Sequence, residues 1–311
     1  MDKPEIIFLV GPTASGKTQI AVYLAKRLCA EIISCDSMQI YKGMDILSAK
    51  PGAGLKKKIP HHLIGVVPVE KEYNVSRFRD QALKKAKALL KKNKLPLFVG
   101  GTGLYVSILL DGIFKSVPVN KRLRGRLLRE AQRSGGKALY LKLKQCDPQA
   151  AARIHAHDTR RIIRALEVFR ATGKPISQLQ RSRRGLRDDY SVRIFCLDLP
   201  REELYRRIDC RVERMFRQGA VREVRGLLKK KIGRTASYAI GIRQIKGYLE
   251  NSYGLEEAKE LVKKNTRNFA KRQLTWFRKD KAIEWVRLRG DESPKNAAEK
   301  IIAAVNSKRK A

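Results

Sequence analysis

The chain has 311 residues, 43% of them hydrophobic, enough to bury a sizeable core in one large domain or two smaller ones. No apolar run approaches about 20 residues, which argues against a membrane span, and five cysteines without a CxxC pair argue against a zinc ribbon or disulfide framework. Sixty-nine Lys and Arg against 30 Asp and Glu give a formal net charge of +39, which repels itself in a compact chain and attracts phosphate polymers.

The charge is spread along the chain, so it points to a polyanionic partner without locating a site; a general enrichment in Lys and Arg is the other reading. The odd cysteine count (Cys29, Cys35, Cys146, Cys196, Cys210) and an N-terminus without a signal-peptide pattern lead to the expectation of a reducing, cytoplasmic setting.

Residues 5–10, EIIFLV, are a short apolar run followed at once by glycine and then by helix formers. The pattern predicts a buried parallel strand, a phosphate loop and a helix from Gly16 to Leu28. In that context Gly11-Pro12-Thr13-Ala14-Ser15-Gly16-Lys17-Thr18 fits G-x-x-x-x-G-K-[ST]. Backbone N–H groups of such a loop cradle phosphate oxygens, Lys17 adds a point charge, and the Thr18 hydroxyl can ligate Mg²⁺. Gly11 to Thr18 are therefore the expected diphosphate-binding residues, although the pattern leaves open what carries the phosphates.

A second strand, Glu31 to Cys35, ends at Asp36. A carboxylate there faces the phosphate site across the neighbouring strand end, where it can take a proton from a nucleophile or hold Mg²⁺ through water. A turn-capping aspartate is the competing reading. An amphipathic helix over Val75–Lys92 leads into a strand, Leu95–Val99, and a glycine turn, Gly100–Gly103. Strands alternating with helices imply a parallel α/β sheet, in which ligands gather at the carboxyl ends of the strands.

From Phe114 to Asp189 helical periodicity dominates, and residues 121–190 hold 19 Lys and Arg against 6 Asp and Glu. A β-like run returns at Ser191–Leu199, followed by helices to Asp280, a strand at Ala282–Leu288, a terminal helix and a short tail, SKRKA. The expected fold is α/β, a P-loop NTPase-like parallel sheet over residues 1–113 and 190–311 flanked by helices. An all-helical insertion occupies 114–189. Over Ala270–Arg278 basic and aromatic residues interleave, which by spacing alone reads as core aromatics with solvated charges. His61-His62 and His155-x-His157 lack metal-site spacing; the first pair is expected in a loop wall near the site.

In order along the chain stand GPTASGKT, ISCDSMQIYKGMDI with Ala49-Lys50-Pro51, PHHLI at Pro60–Ile64, GGTGLY at Gly100–Tyr105, RRIIRALEV from Arg160, GIRQ from Gly241 and KRQLTWFR from Lys271. This ordered set resembles the serial motifs of the tRNA dimethylallyltransferases over about nine-tenths of the chain. The resemblance implies transfer of a dimethylallyl group from dimethylallyl diphosphate to N6 of adenosine 37, in the tRNA anticodon loop, by a monomer that uses Mg²⁺.

It further implies that Asp36 is the general base, and that Thr13 and Arg243 stabilise the bridging oxygen of the departing pyrophosphate. The implied tRNA contacts are Asp36, Ser37, Met38, Gln39 and Thr102 near the strand ends, with Arg124, Arg160, Arg161 and Arg164 in the insertion. Tyr238, Arg243, Lys271, Arg272, Gln273 and Arg278 complete them. Ile242, Gly65 and Ser48 depart from the family pattern, where a tyrosine, an acidic residue and a threonine are usual. None is a proposed catalytic group. The alternative reading is a P-loop kinase of a nucleotide or small metabolite, which has no need of a basic helical insertion.

Overall fold

A computed structural model describes residues 3–114 and 120–309. Its elements run β1 (Glu5–Val10), α1 (Lys17–Arg27), β2 (Ala30–Ser34), α2 (Ala53–Lys58), β3 (His61–His62), α3 (Val75–Leu90), β4 (Leu95–Gly100) and α4 (Gly103–Asp111). Helices follow: α5 (Lys121–Cys146, interrupted at Gly135), α6 (Pro148–Arg153), α7 (Thr159–Thr172), α8 (Ile176–Arg181) and α9 (Leu186–Asp189). Then come β5 (Ser191–Asp198), α10 (Arg201–Arg217), α11 (Ala220–Leu228), α12 (Ile242–Leu249), α13 (Leu255–Phe277), β6 (Glu284–Arg287) and α14 (Pro294–Arg309). The SKRKA tail is thus helical to Arg309, and its last two residues lie outside the described residues.

Six parallel strands form one sheet in the order β3-β2-β4-β1-β5-β6. The central strand β1 is buried from Ile6 to Val10, the all-apolar signature of a strand covered on both faces. Phe8 and Phe98 stack across the β1–β4 pair with centroids 4.6 Å apart, and α1, α10 and α14 supply apolar residues such as Leu24, Ile208 and Ile301 to the core. Where a loop wall is expected, His61-His62 form the two-residue β3, and His61 pairs with Ile32 at the sheet edge.

The chain divides into two compact units, Met1–Leu109 with Asp189–Ala311, and Leu110–Asp188. The second is all-helical among the described residues and has its own core, in which Leu127, Leu139 and Leu143 of α5 meet Ile162, Leu166 and Val168 of α7. Capping by Asn120, Asp147 and Asp158 sets the starts of α5, α6 and α7, because each side chain accepts from a backbone N–H three residues on.

Strand register places the site. Val10 pairs with Gly100 and Ser34 with Val99, so the chain leaves β1, β2 and β4 side by side at one edge. Gly100 passes so close to the β2 end that an added Cβ would lie 2.3 Å from the Cys35 carbonyl oxygen. Backbone cannot swing away as a side chain can. Gly100→Ala is expected to cost about 1–3 kcal/mol, the usual range for overpacking, measured by urea unfolding at unchanged m. A loss below about 0.5 kcal/mol, the scatter of ordinary surface changes, would contradict the close approach.

Candidate active site

A cavity of about 700 Å³ lies over the carboxyl ends of β1, β2 and β4. Thr13, Lys17 and Thr18 line it from the P-loop, Asp36 and Gln39 from the β2 end, and Gly100 and Gly101 from the β4 end. Arg206, Arg207, Arg211 and Arg214 line it from α10, a cationic stripe with near-helical spacing. Ile32, Leu55, Ile64 and Phe269 add apolar surface. The same enclosure therefore offers cations for a diphosphate and apolar lining for a hydrocarbon.

The P-loop runs from the end of β1 to the N-terminus of α1, where Gly16, with φ 88°, is the N-cap. Lys17 Nζ donates to the carbonyl oxygens of Gly11 (3.0 Å) and Pro12 (2.6 Å). Burial pulls its ammonium down to about 8; the Asp36 carboxylate and Cys196 oppose that fall, while Arg211 adds to it. Burial likewise lowers the Arg211 pKa, again opposed by Asp36. The carboxylate and both cations thus feel one another across the cavity.

Asp36 Oδ1 accepts from the backbone N–H groups of Met38 (2.8 Å) and Gln39 (3.2 Å). The turn-capping reading holds, because Oδ1 fixes the turn, and Oδ2 has no hydrogen bond within the described residues. Thr102 supports the same turn, its Oγ1 accepting from Ser37 N at 3.0 Å and its N–H donating to Cys35 O at 3.2 Å. Gln39 is turned into the fold, with Oε1 accepting from Ser34 Oγ at 3.0 Å.

Thr13 meets an arginine, but not the one the sequence reading chose. Arg211 Nη1 donates to Thr13 Oγ1 at 2.8 Å. Arg243 instead lines a separate recess of about 250 Å³ with Tyr238, Gln244, Asn265 and Arg272. Arg211 was missed because REELYRRIDCRVERMFR alternates charges like a solvated helix face, and only packing shows which arginine turns inward. Gln273 is also turned inward, 5% exposed, while Lys271 and Arg272 on α13 and Arg278 just after it are exposed. Trp276 is 37% exposed and donates from Nε1 to Ser107 Oγ at 3.1 Å.

Within the helical unit, buried Glu167 accepts from Arg124 Nε (2.7 Å) and Nη2 (2.6 Å) and lies 3.7 Å from Arg164 Nη1. Arg160 and Arg161 are exposed on the first turn of α7, where Arg161 Nε pairs with Asp158 at 3.1 Å.

The family model for IPP transferase matches residues 39–280, and that for isopentenyl transferase matches residues 4–59. The chain belongs to the tRNA dimethylallyltransferase family. It is 45% identical to a tRNA dimethylallyltransferase of Alkaliphilus oremlandii, with 96% of each chain covered. To one from Geobacter sulfurreducens it is 43% identical, over 91% of this chain and 92% of the relative. Among solved structures, a full-length tRNA isopentenylpyrophosphate transferase from Bacillus halodurans is 36% identical, with 99% of each chain covered and a TM-score of 0.72. A eukaryotic dimethylallyltransferase acting on tRNA is 27% identical, with 97% of this chain and 79% of that one covered and a TM-score of 0.83.

If the P-loop holds a diphosphate, as expected from its motif, Lys17 gives the site a pH dependence. The ammonium is charged below about 8 and loses its proton above it, whereas a bound diphosphate holds the proton on. Affinity for an unreactive alkyl thiolodiphosphate is expected to fall about tenfold per pH unit above that point, with uptake of one proton per binding event. Titration calorimetry in buffers of different ionisation heat reads both, and Lys17→Arg is expected to flatten the profile. A wild-type profile that stays flat to about pH 9.5, well above that value, would contradict the assignment.

Proposed function

We propose that the chain transfers a dimethylallyl group from dimethylallyl diphosphate to N6 of adenosine 37 in the anticodon loop of tRNA, releasing pyrophosphate. The observation that carries the reading is one cavity lined by Lys17, the α10 arginines, apolar residues and Asp36, whose Oδ2 has no hydrogen bond among the described residues. A kinase of a nucleotide or small metabolite has no need of a basic helical unit.

An adenine exocyclic amine is a weak nucleophile because its lone pair is delocalised into the ring. In the proposed step the N6 lone pair attacks C1 of the allyl group as the C1–O bond breaks. The electron pair of that bond passes to the bridging oxygen, and an N6 proton passes to Asp36. Lys17 and Arg211 stabilise the charge that develops on the leaving pyrophosphate, where preorganised cations act most strongly. Since Thr13 Oγ1 accepts from Arg211, its own proton is available to the bridging oxygen. We therefore assign to Arg211 the leaving-group role that the resemblance implied for Arg243.

The residues fit a Mg²⁺ brought in by the diphosphate: Thr18 lines the cavity, and Mg²⁺ usually takes few protein oxygens beside phosphate and water. When bound it would supply further charge neutralisation on the pyrophosphate oxygens.

For tRNA we propose Asp36, Ser37, Met38 and Thr102 at the reacting base. Arg124, Arg160, Arg161 and Arg164 then serve on the helical unit, and Tyr238, Arg243, Lys271, Arg272 and Arg278 on the core. Extracting a stacked base costs a few kcal/mol, and a broad cationic footprint offsets it; the charge of +39 supports that use. One tRNA on a monomer in the cytoplasm, where the five free cysteines stay reduced, completes the reading.

Unmodified tRNA incubated with dimethylallyl diphosphate and Mg²⁺ is expected to gain one prenyl group per molecule, seen by mass spectrometry of the digested RNA. Consumption of ATP without prenyl adenosine would favour the kinase reading. Asp36→Ala is expected to lower single-turnover rate about 100-fold or more, within the range of general-base catalysis, with tRNA affinity within about twofold. Loss of affinity at an unchanged rate would remove Asp36 as the base.

A further inference from the structure

We infer that Gln273 is a positioning residue that sets the distance between the leaving-group clamp and the base-bearing turn, rather than a contact to tRNA. The inference rests on the proposed reaction. Gln273 projects from α13 with 5% of its surface exposed, between two loops that belong to different strands. Its Oε1 accepts from Thr13 N at 2.8 Å, and its Nε2 donates to Gly101 O at 2.8 Å. The first bond fixes the residue whose hydroxyl Arg211 holds. The second fixes the residue before Thr102, which bonds on both sides of Asp36 through Cys35 O and Ser37 N.

One neutral amide therefore ties the two halves of the reaction centre together. Both of its partners are backbone groups, so nothing but a side chain with one donor and one acceptor at this depth completes the pair. Aspartate, glutamate or an aliphatic residue would leave the Thr13 N–H or the Gly101 carbonyl without its bond. The loop is shaped around the amide: an added Cβ on Gly101 would lie 2.1 Å from Gln273 Nε2. Displacement of about 1 Å in a reacting centre costs on the order of 100-fold in rate, so losing either bond is expected to act on chemistry before binding.

The test uses the full chain with unmodified tRNA and dimethylallyl diphosphate, with active sites counted by titration with an unreactive thiolodiphosphate. Gln273→Glu, which keeps the volume, and Gln273→Ala are each expected to lower the single-turnover rate per active site by about 10- to 100-fold, with the dissociation constant for tRNA within about twofold. Gly101→Ala is expected to do the same, because its new methyl displaces the amide. The double variant Gly101→Ala with Gln273→Ala is expected to be no slower than the slower single variant. A merely structural role would lower the number of active sites and leave the rate per site unchanged, which would overturn the inference. So would weakened tRNA binding at an unchanged rate, or losses that multiply in the double variant. If wild type forms no prenyl adenosine, the proposed reaction fails before Gln273 is at issue.

Discussion

The parallel pairing of β1, β2 and β4 is the constraint on which the site depends. Val10 beside Gly100 and Ser34 beside Val99 bring three chain segments to one edge within a few residues of each other. The P-loop, a carboxylate turn and a glycine turn then have to share that edge. The helices flanking the sheet hold this register by burying β1 completely from Ile6 to Val10, and α10 and α13 close the cavity by turning Arg211 and Gln273 inward.

The site separates charge at short range. Burial disfavours the charged forms of Lys17 and Arg211, and the Asp36 carboxylate works against that effect without pairing directly with either. In the proposed reaction a direct ion pair would consume the carboxylate assigned to the amine and the cations assigned to the pyrophosphate. Backbone N–H groups of Met38 and Gln39 hold Asp36 by one oxygen instead, and backbone carbonyls receive Lys17. The separation is a property of backbone geometry, which is why strand register and the Gln273 amide bear on the chemistry.

Much of this was legible in the sequence. EIIFLV followed by GPTASGKT specifies strand, loop and helix by pattern and glycine placement, and Asp36 follows from its position at the end of the next apolar run. Residues 114–189 read as helical because they lack a strand pattern, and the compact unit in the structure runs Leu110–Asp188. What sequence hides is the direction in which a polar side chain points. Arg211 sits among five other arginines on α10 and looks solvated. Gln273 sits between Arg272 and exposed Thr275 and reads as part of a basic face. The pairing of His61 with Ile32 was hidden for a different reason: two residues are too few for a β period to register.

The central claim is that the P-loop holds a leaving group and Asp36 the incoming amine. A crystal structure with unmodified tRNA and the unreactive thiolodiphosphate of dimethylallyl alcohol tests it most directly. The bridging sulfur is expected within hydrogen-bonding reach of Thr13 Oγ1 and Arg211, with C1 between it and adenosine N6, and Asp36 Oδ2 on the far side of N6 at about 3 Å. A diphosphate seated in the recess of Arg243, or an adenine amine out of reach of Asp36, would contradict it.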